Sequence, residues 1–403
     1  MNSIKQKNNI LPILLSLIPI SLLVGNSAIN LLIVIIDLYF IFELKQQRKL
    51  KLLNNKLFYN LIFIWFLLLL NSIFIAENLD SFIRSFGFIR FIILIFSINY
   101  LLRYHKISFN KIILPIWAIT FFIVTIDILV EFSFGRNILG YRSDYNGRIA
   151  SFTNDELIIG NYYFGFALIV GIFLKNKYLE NNLFLINILL ISFVIISFII
   201  GERSNFIKIF FIISIFMFLV NGKKILLNLL SLSTIFLIAF LILKGDNFYE
   251  SRFISEIYKP IKESSFKQIY INSRYHDHHS LAYEIFKKNK IFGVGIKNFR
   301  NISINEIDNK KLYKMGINTH PHQIHYEFLS ETGLFGYLIF IIFFIYSIGL
   351  GIKKYSINKN PYVLSSTLFI SATFLPILPS GSFFTTFSAT IFWINYAFLF
   401  TEN

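Results

Sequence analysis

The chain contains no cysteine. Thiol catalysis, disulfide frameworks and thiolate-ligated metal sites are excluded together. Charge is scarce: Asp, Glu, Lys and Arg make up 15% of the 403 residues, against 55% hydrophobic, at a mean hydropathy of +0.64. That balance excludes a soluble globular domain. Acidic residues are the scarcer sign, 22 against 38 Lys and Arg, for a net charge of +16. No basic patch is interleaved with a stacking platform, so nucleic acid is set aside as a partner. The amino-terminal stretch has a basic start and an apolar run but no Ala-x-Ala-like cleavage site, and further apolar runs follow immediately; it reads as a first membrane helix. No repeat of solenoid period and no inverted repeat of the transporter type is visible.

What the chain has instead is apolar runs of bilayer length. A hydrocarbon core about 30 Å thick needs roughly 20 apolar residues per helix, and about twelve such spans are predicted, near 10–25, 27–42, 57–76, 88–102, 112–132, 157–174, 183–200, 205–220, 225–243, 326–350, 361–379 and 383–400. The expected fold is thus an all-α polytopic membrane protein, 1–403 forming a single integral membrane domain. Lysine and arginine cluster in every second connection, at Lys5 and Lys7, Lys45 to Lys56, Arg103 to Lys111, Lys175 and Lys177, Lys223 and Lys224, and Lys353 to Lys359. The positive-inside rule makes these loops, and both termini, cytoplasmic.

One long connection then lies outside, a periplasmic loop over 244–325 between the ninth and tenth spans. It holds six of the seven histidines: His276, His278, His279, His320, His322 and His325. A shorter outer loop, about 133–156, carries Arg136, Arg142 and Arg148 on the side where topology does not ask for them; retained there, arginines fit an anionic ligand. Within the long loop, His278–Lys290 places Leu281, Ala282, Ile285 and Phe286 on one side, an amphipathic helix expected on the outer membrane face. Gly293-Val-Gly295 breaks it, and a polar stretch through Asn318 reads as a cap over a cavity.

The order and sidedness of these features resemble the bacterial O-antigen ligase and O-antigen polymerase superfamily. The resemblance rests on the topology, on His322-Gln323 followed after nine residues by Gly333-Leu-Phe-Gly336, on Gly201-Glu-Arg203-Ser204 at the outer end of the seventh span, on Ser273-Arg274 before the amphipathic helix, and on the stretch Arg148 to Asn154. It implies transfer of a glycan from undecaprenyl diphosphate to an acceptor hydroxyl on the periplasmic face of the inner membrane, without metal or cofactor. The acceptor is lipid A-core in the ligase and another lipid-linked glycan in the polymerase.

Residue chemistry fits those roles. Transfer from a lipid diphosphate needs a base near the acceptor hydroxyl and cations facing the departing phosphates. Histidine, with an unperturbed pKa of about 6.5, is suited to the first, and His322 is the expected general base. Pro321 beside it favours the first turn of a helix, whose amino terminus disfavours imidazolium and attracts anions. Arg203, Arg274 and Arg148 are the expected diphosphate ligands, because a guanidinium makes bidentate bonds to phosphate and keeps its proton; Glu202 is a rival partner for Arg203. His325, Glu327 and His320 are expected to support His322. A zinc site at His320-x-His322-x-x-His325 and a lipid-linked glycan transporter are the rival classes. The transporter is disfavoured because Asp37, Arg90 and Asp127 are expected toward span ends and not at mid-membrane, where transporters place ionisable groups.

Overall fold

The computed structural model describes residues 9–76, 78–143, 145, 147–153, 158–179, 182–220, 224–258, 262, 265–310 and 319–401. Side chains at 247, 257, 258, 266, 274 and 305–310 are outside that description. Among the described residues the chain is 82% helical and has no strand. In a bilayer every backbone N–H and C=O must be satisfied within the protein, which an apolar helix does by itself.

Among the described residues, seven helices are long and apolar enough to cross a membrane: Asn26–Gln46, Lys56–Ala76, Leu79–Tyr104, Lys106–Phe134, Arg203–Val220, Ile225–Gly245 and Ile324–Asn358. The other apolar runs of the sequence fall on shorter or more polar helices, Ile10–Ser16 with Ile18–Val24, Ile159–Tyr178, Leu183–Ile199, Pro361–Thr373 and Thr386–Ala397. The protein is a multi-pass membrane protein.

Helix Ile159–Tyr178 is buried without a break from Tyr162 to Phe173, the pattern of a helix surrounded by other helices. Its neighbours approach closely because it carries small residues. A Cβ on Gly165 would lie 2.3 Å from the Ile391 side chain. Helix Ile225–Gly245 sits at the opposite extreme, with Leu226, Leu230, Phe236, Leu237 and Leu241 all exposed; so much bare apolar surface belongs against lipid.

Helix Ile324–Asn358 bends at Gly333, whose φ of 66° and ψ of −173° are not helical. The turn after helix Arg274–Lys288 docks there through four backbone hydrogen bonds, with the Phe292 ring edge-on to Phe335. Val294 N–H donates to Ser330 O at 3.0 Å, Gly295 N–H to Glu331 O at 2.8 Å, Leu334 N–H to Lys290 O at 2.8 Å and Phe335 N–H to Ile291 O at 3.1 Å. Only glycine allows this approach: a Cβ on Gly293 would lie 2.5 Å from Glu331 backbone, and one on Gly333 2.3 Å from Ile291 O. Two glycine motifs about forty residues apart in the sequence therefore form one joint.

Three expectations are corrected. The amphipathic helix is Arg274–Lys288, and its apolar face does not lie on lipid: Leu281, Ala282 and Ile285 form a small core with Val294 and Phe299. The cap forms helix Phe299–Lys310 as far as it is described; 311–318 lie outside the described residues. Asp37 is not toward a span end, being the twelfth of 21 residues of Asn26–Gln46 and buried.

Candidate functional site

Four imidazoles gather beyond the amino-terminal end of helix Ile324–Asn358. His278 and His279 come from helix Arg274–Lys288, while His320 and His322 precede the long helix. The His322 ring is 4.0 Å from that of His320 and 4.7 Å from that of His278. His279 stacks on Tyr326 at 4.5 Å and shares a hydrogen bond of 3.0 Å with the Tyr270 hydroxyl. The helix begins at Ile324, three residues later than Pro321 at N1 would require. Gln323 is its N-cap, and the Gln323 side-chain oxygen accepts from His325 N–H and Tyr326 N–H. Pro321 is thus outside the helix, and two N–H groups expected to face an anion are already used.

His322 has the left-handed φ of 57°, a conformation that costs free energy outside glycine and concentrates at functional sites. It is held by Ser380, whose N–H donates to His322 O at 2.9 Å. Burial, then the neighbouring His278, pushes the His322 imidazole down to about 4. Burial with His322, Lys297 and His278 takes His320 to about 3, and burial with His278, His322 and His276 takes His279 to about 4. All three rings are neutral at pH 7 and able to accept a proton.

His325 is elsewhere. Its Nδ1 is 3.2 Å from the Tyr337 hydroxyl and its Nε2 donates to Phe374 O at 3.0 Å, so it ties the bent helix to the end of helix Pro361–Thr373. The triple-histidine zinc geometry is therefore not formed, and among the described residues no group of three His, Asp or Glu is arranged to hold a metal. Glu327 does not orient an imidazole either. Its buried carboxylate accepts from Ser382 Oγ at 2.5 Å and from Phe383 N–H at 2.8 Å.

Arginines form the second group, around the turn between helices Leu183–Ile199 and Arg203–Val220. Arg203 Nη1 is 3.1 Å from Glu256 Oε2 and donates to Arg252 O at 3.0 Å. Arg252 Nε donates to Gly201 O at 2.9 Å, and its guanidinium feels the charges of Arg203, Arg148 and Glu256. Arg148 is 3.9 Å from Glu202 Oε1, and its buried Nε has no partner. Glu202 thus pairs with Arg148, not with Arg203 as the rival reading had it. Arg274 opens helix Arg274–Lys288, its side chain undescribed, and Asn154 lies outside the described residues.

One loop, 374–385, joins the two groups. Ser204 Oγ donates to Pro379 O, Gln323 Nε2 to Pro376 O at 2.7 Å and Lys297 Nζ to Ser382 Oγ at 2.8 Å, beside the Ser380 bond to His322. Tyr275 adds a second bridge, in the field of Arg252 and 6.2 Å from the His279 ring. Three members escaped the sequence reading: Arg252, Lys297 and the loop itself. Arg252 carried a legible signal, since it too is an arginine in a connection that the positive-inside pattern expects outside. The loop's Pro-Ile-Leu-Pro-Ser-Gly-Ser reads only as the gap between two spans.

Acyl- or glycosyl-transfer chemistry is open to such a site: neutral imidazoles to take a proton, with clustered guanidinium groups beside them for a leaving anion. No curated protein matches the chain. Residues 163–341, under half of the chain, match the family model described as O-antigen ligase, a span that holds the arginine turn, the imidazoles and the glycine joint, and the match supports the O-antigen ligase and polymerase superfamily.

Proposed function

We propose that the protein is an inverting, metal-independent glycosyltransferase of the inner membrane that moves a glycan from undecaprenyl diphosphate to lipid A-core at the periplasmic face. The observation that carries this reading is the pairing of a neutral imidazole cluster at His322 with the arginines Arg148, Arg203 and Arg252 across one loop. The acceptor hydroxyl oxygen attacks the anomeric carbon from the face opposite the diphosphate. A new C–O bond forms as the bond to the diphosphate breaks; the hydroxyl proton passes to His322, and undecaprenyl diphosphate leaves as an anion held by the arginines. Arg274, at the start of the helix that carries His278, completes the donor site. Burial and His278 keep the base neutral and His320 packs on its ring, whereas His325 and Glu327 act by fixing the bent helix and the 374–385 loop.

In this orientation the termini and the Lys-rich connections are cytoplasmic, 244–325 is periplasmic, and the helices that fall short of bilayer length on their own complete a bundle of about twelve spans. Repeat-unit polymerisation is the second reading, because it shares the donor and the leaving group. Purified protein in detergent, given the lipid-diphosphate glycan together with lipid A-core and EDTA, tests the reading. Core-linked product in EDTA supports the ligase. Longer lipid-linked glycan without core attachment supports the polymerase, and absence of any covalent product overturns both in favour of a transporter.

A further inference from the structure

A second cationic site lies on the other flank of the same loop. Arg84 Nη1 and Arg90 Nη2 both reach Thr386 Oγ1, each at 3.4 Å, the long end of hydrogen bonding. Thr386 opens the helix that follows the 374–385 loop, and its hydroxyl donates to Asn30 Oδ1 at 3.2 Å. Arg90 also donates to Gly87 O at 2.9 Å, and its buried Nε has no partner. Among the described residues neither guanidinium has a carboxylate within ion-pair distance; Asp37 acts on Arg90 only at longer range, with Oδ1 unpartnered there. Two like charges converging on one weakly held hydroxyl repel each other, and an anion placed between their forks would relieve that repulsion through bidentate bonds.

The surroundings indicate where the anion comes from. Arg84 is exposed on the short helix Leu79–Gly87, whose Leu79, Ile83 and Phe86 are exposed apolar residues. A helix with a bare apolar face and a cation beside it sits at headgroup level, so the ligand arrives on a lipid. We propose that Arg84, Arg90 and Thr386 bind the phosphate of the acceptor lipid, holding it across the 374–385 loop from the donor's diphosphate. This rests on the transferase reading, and it assigns the acceptor a phosphate-bearing lipid anchor.

The test is transfer to two acceptors with the same glycan, one with its lipid phosphate and one dephosphorylated, by wild type, Arg84→Gln and Arg90→Gln. Loss of a charged hydrogen bond, about 1.5–3 kcal/mol, corresponds to a rise in acceptor KM of about ten- to a hundredfold. The proposal expects that rise for the phosphorylated acceptor only, with donor KM unchanged. An equal change for both acceptors, or a change in donor KM instead, overturns it. Arg84→Gln is surface-exposed and keeps the test valid should Arg90→Gln fail to fold. A second arm needs no turnover, so it stands even if the transferase reading falls: phosphatidic acid should raise the Tm of the detergent-purified chain more than diacylglycerol does, and less in Arg84→Gln than in wild type. Equal shifts in both proteins, or an equal shift with inorganic phosphate alone, overturn a lipid-phosphate site.

Discussion

Removing the His322 ring takes away the proposed base and leaves the joints of the fold intact, since the contact that fixes this residue is its backbone O with Ser380 N–H. His322→Ala should lower transfer by about 10²–10⁴ with little change in Tm. Because burial holds this imidazole down to about 4, the acid limb of kcat/KM, which reports the free enzyme, should fall below about pH 5 and not near 6.5. A pH profile from 3.5 to 9 checks it, and a limb at 6.5 would assign the base elsewhere. Arg203→Ala and Arg252→Ala should each cost about ten- to a hundredfold in kcat/KM for the donor, the worth of a charged hydrogen bond. His322, Arg203 and Arg148 could be singled out as candidates because their residue types stand out against a chain with few charges. The role of His325 was not: i, i+3 spacing puts it on the same face only if both residues are helical, and His322 precedes the N-cap.

At the scale of elements, the bend at Gly333 and the turn at Gly293 are one device, and each needs its glycine for two reasons, a left-handed φ and a backbone neighbour within 2.5 Å. Gly333→Ala and Gly293→Ala should each destabilise by at least ~2 kcal/mol, seen as a lower Tm and a loss of transfer with the imidazoles intact. Gly245→Ala, where nothing lies within 4 Å of the added carbon, should be neutral in the same thermal scan. The sequence displayed both glycine pairs but not their contact, which depends on a return of chain about forty residues long. It likewise displayed the apolar stripe of helix Arg274–Lys288 without showing whether lipid or protein covers it; Val294 and Phe299, with Ile302 and Tyr326 beside them, do.

For the whole molecule, the all-helical membrane class was legible, because apolar length is a one-dimensional signal; the number of spans was less so, since seven helices among the described residues are long and apolar enough to cross, against about twelve expected. Which helices sit inside the bundle was not legible, since Ile159–Tyr178 and Ile225–Gly245 are both apolar while one is enclosed and the other bare. The absence of native cysteine makes the topology directly testable: a membrane-impermeant maleimide should label Tyr145→Cys from outside and reach Lys354→Cys only after permeabilisation, and the reverse pattern would invert the orientation. Stability should also depend on pH. His279, His320 and His322 are held neutral in the fold, so the unfolded chain binds more protons between about pH 4 and 6.5. The Tm should therefore fall as pH drops through that window, and less steeply in His279→Gln.

The most direct test of the account is single-turnover transfer from a lipid-diphosphate glycan by purified wild type and His322→Ala, with the two proteins matched in Tm. The account predicts product from wild type and a rate at least about 10²-fold lower in the variant. Equal rates would contradict it, because the imidazole cluster would then have no part in moving the proton.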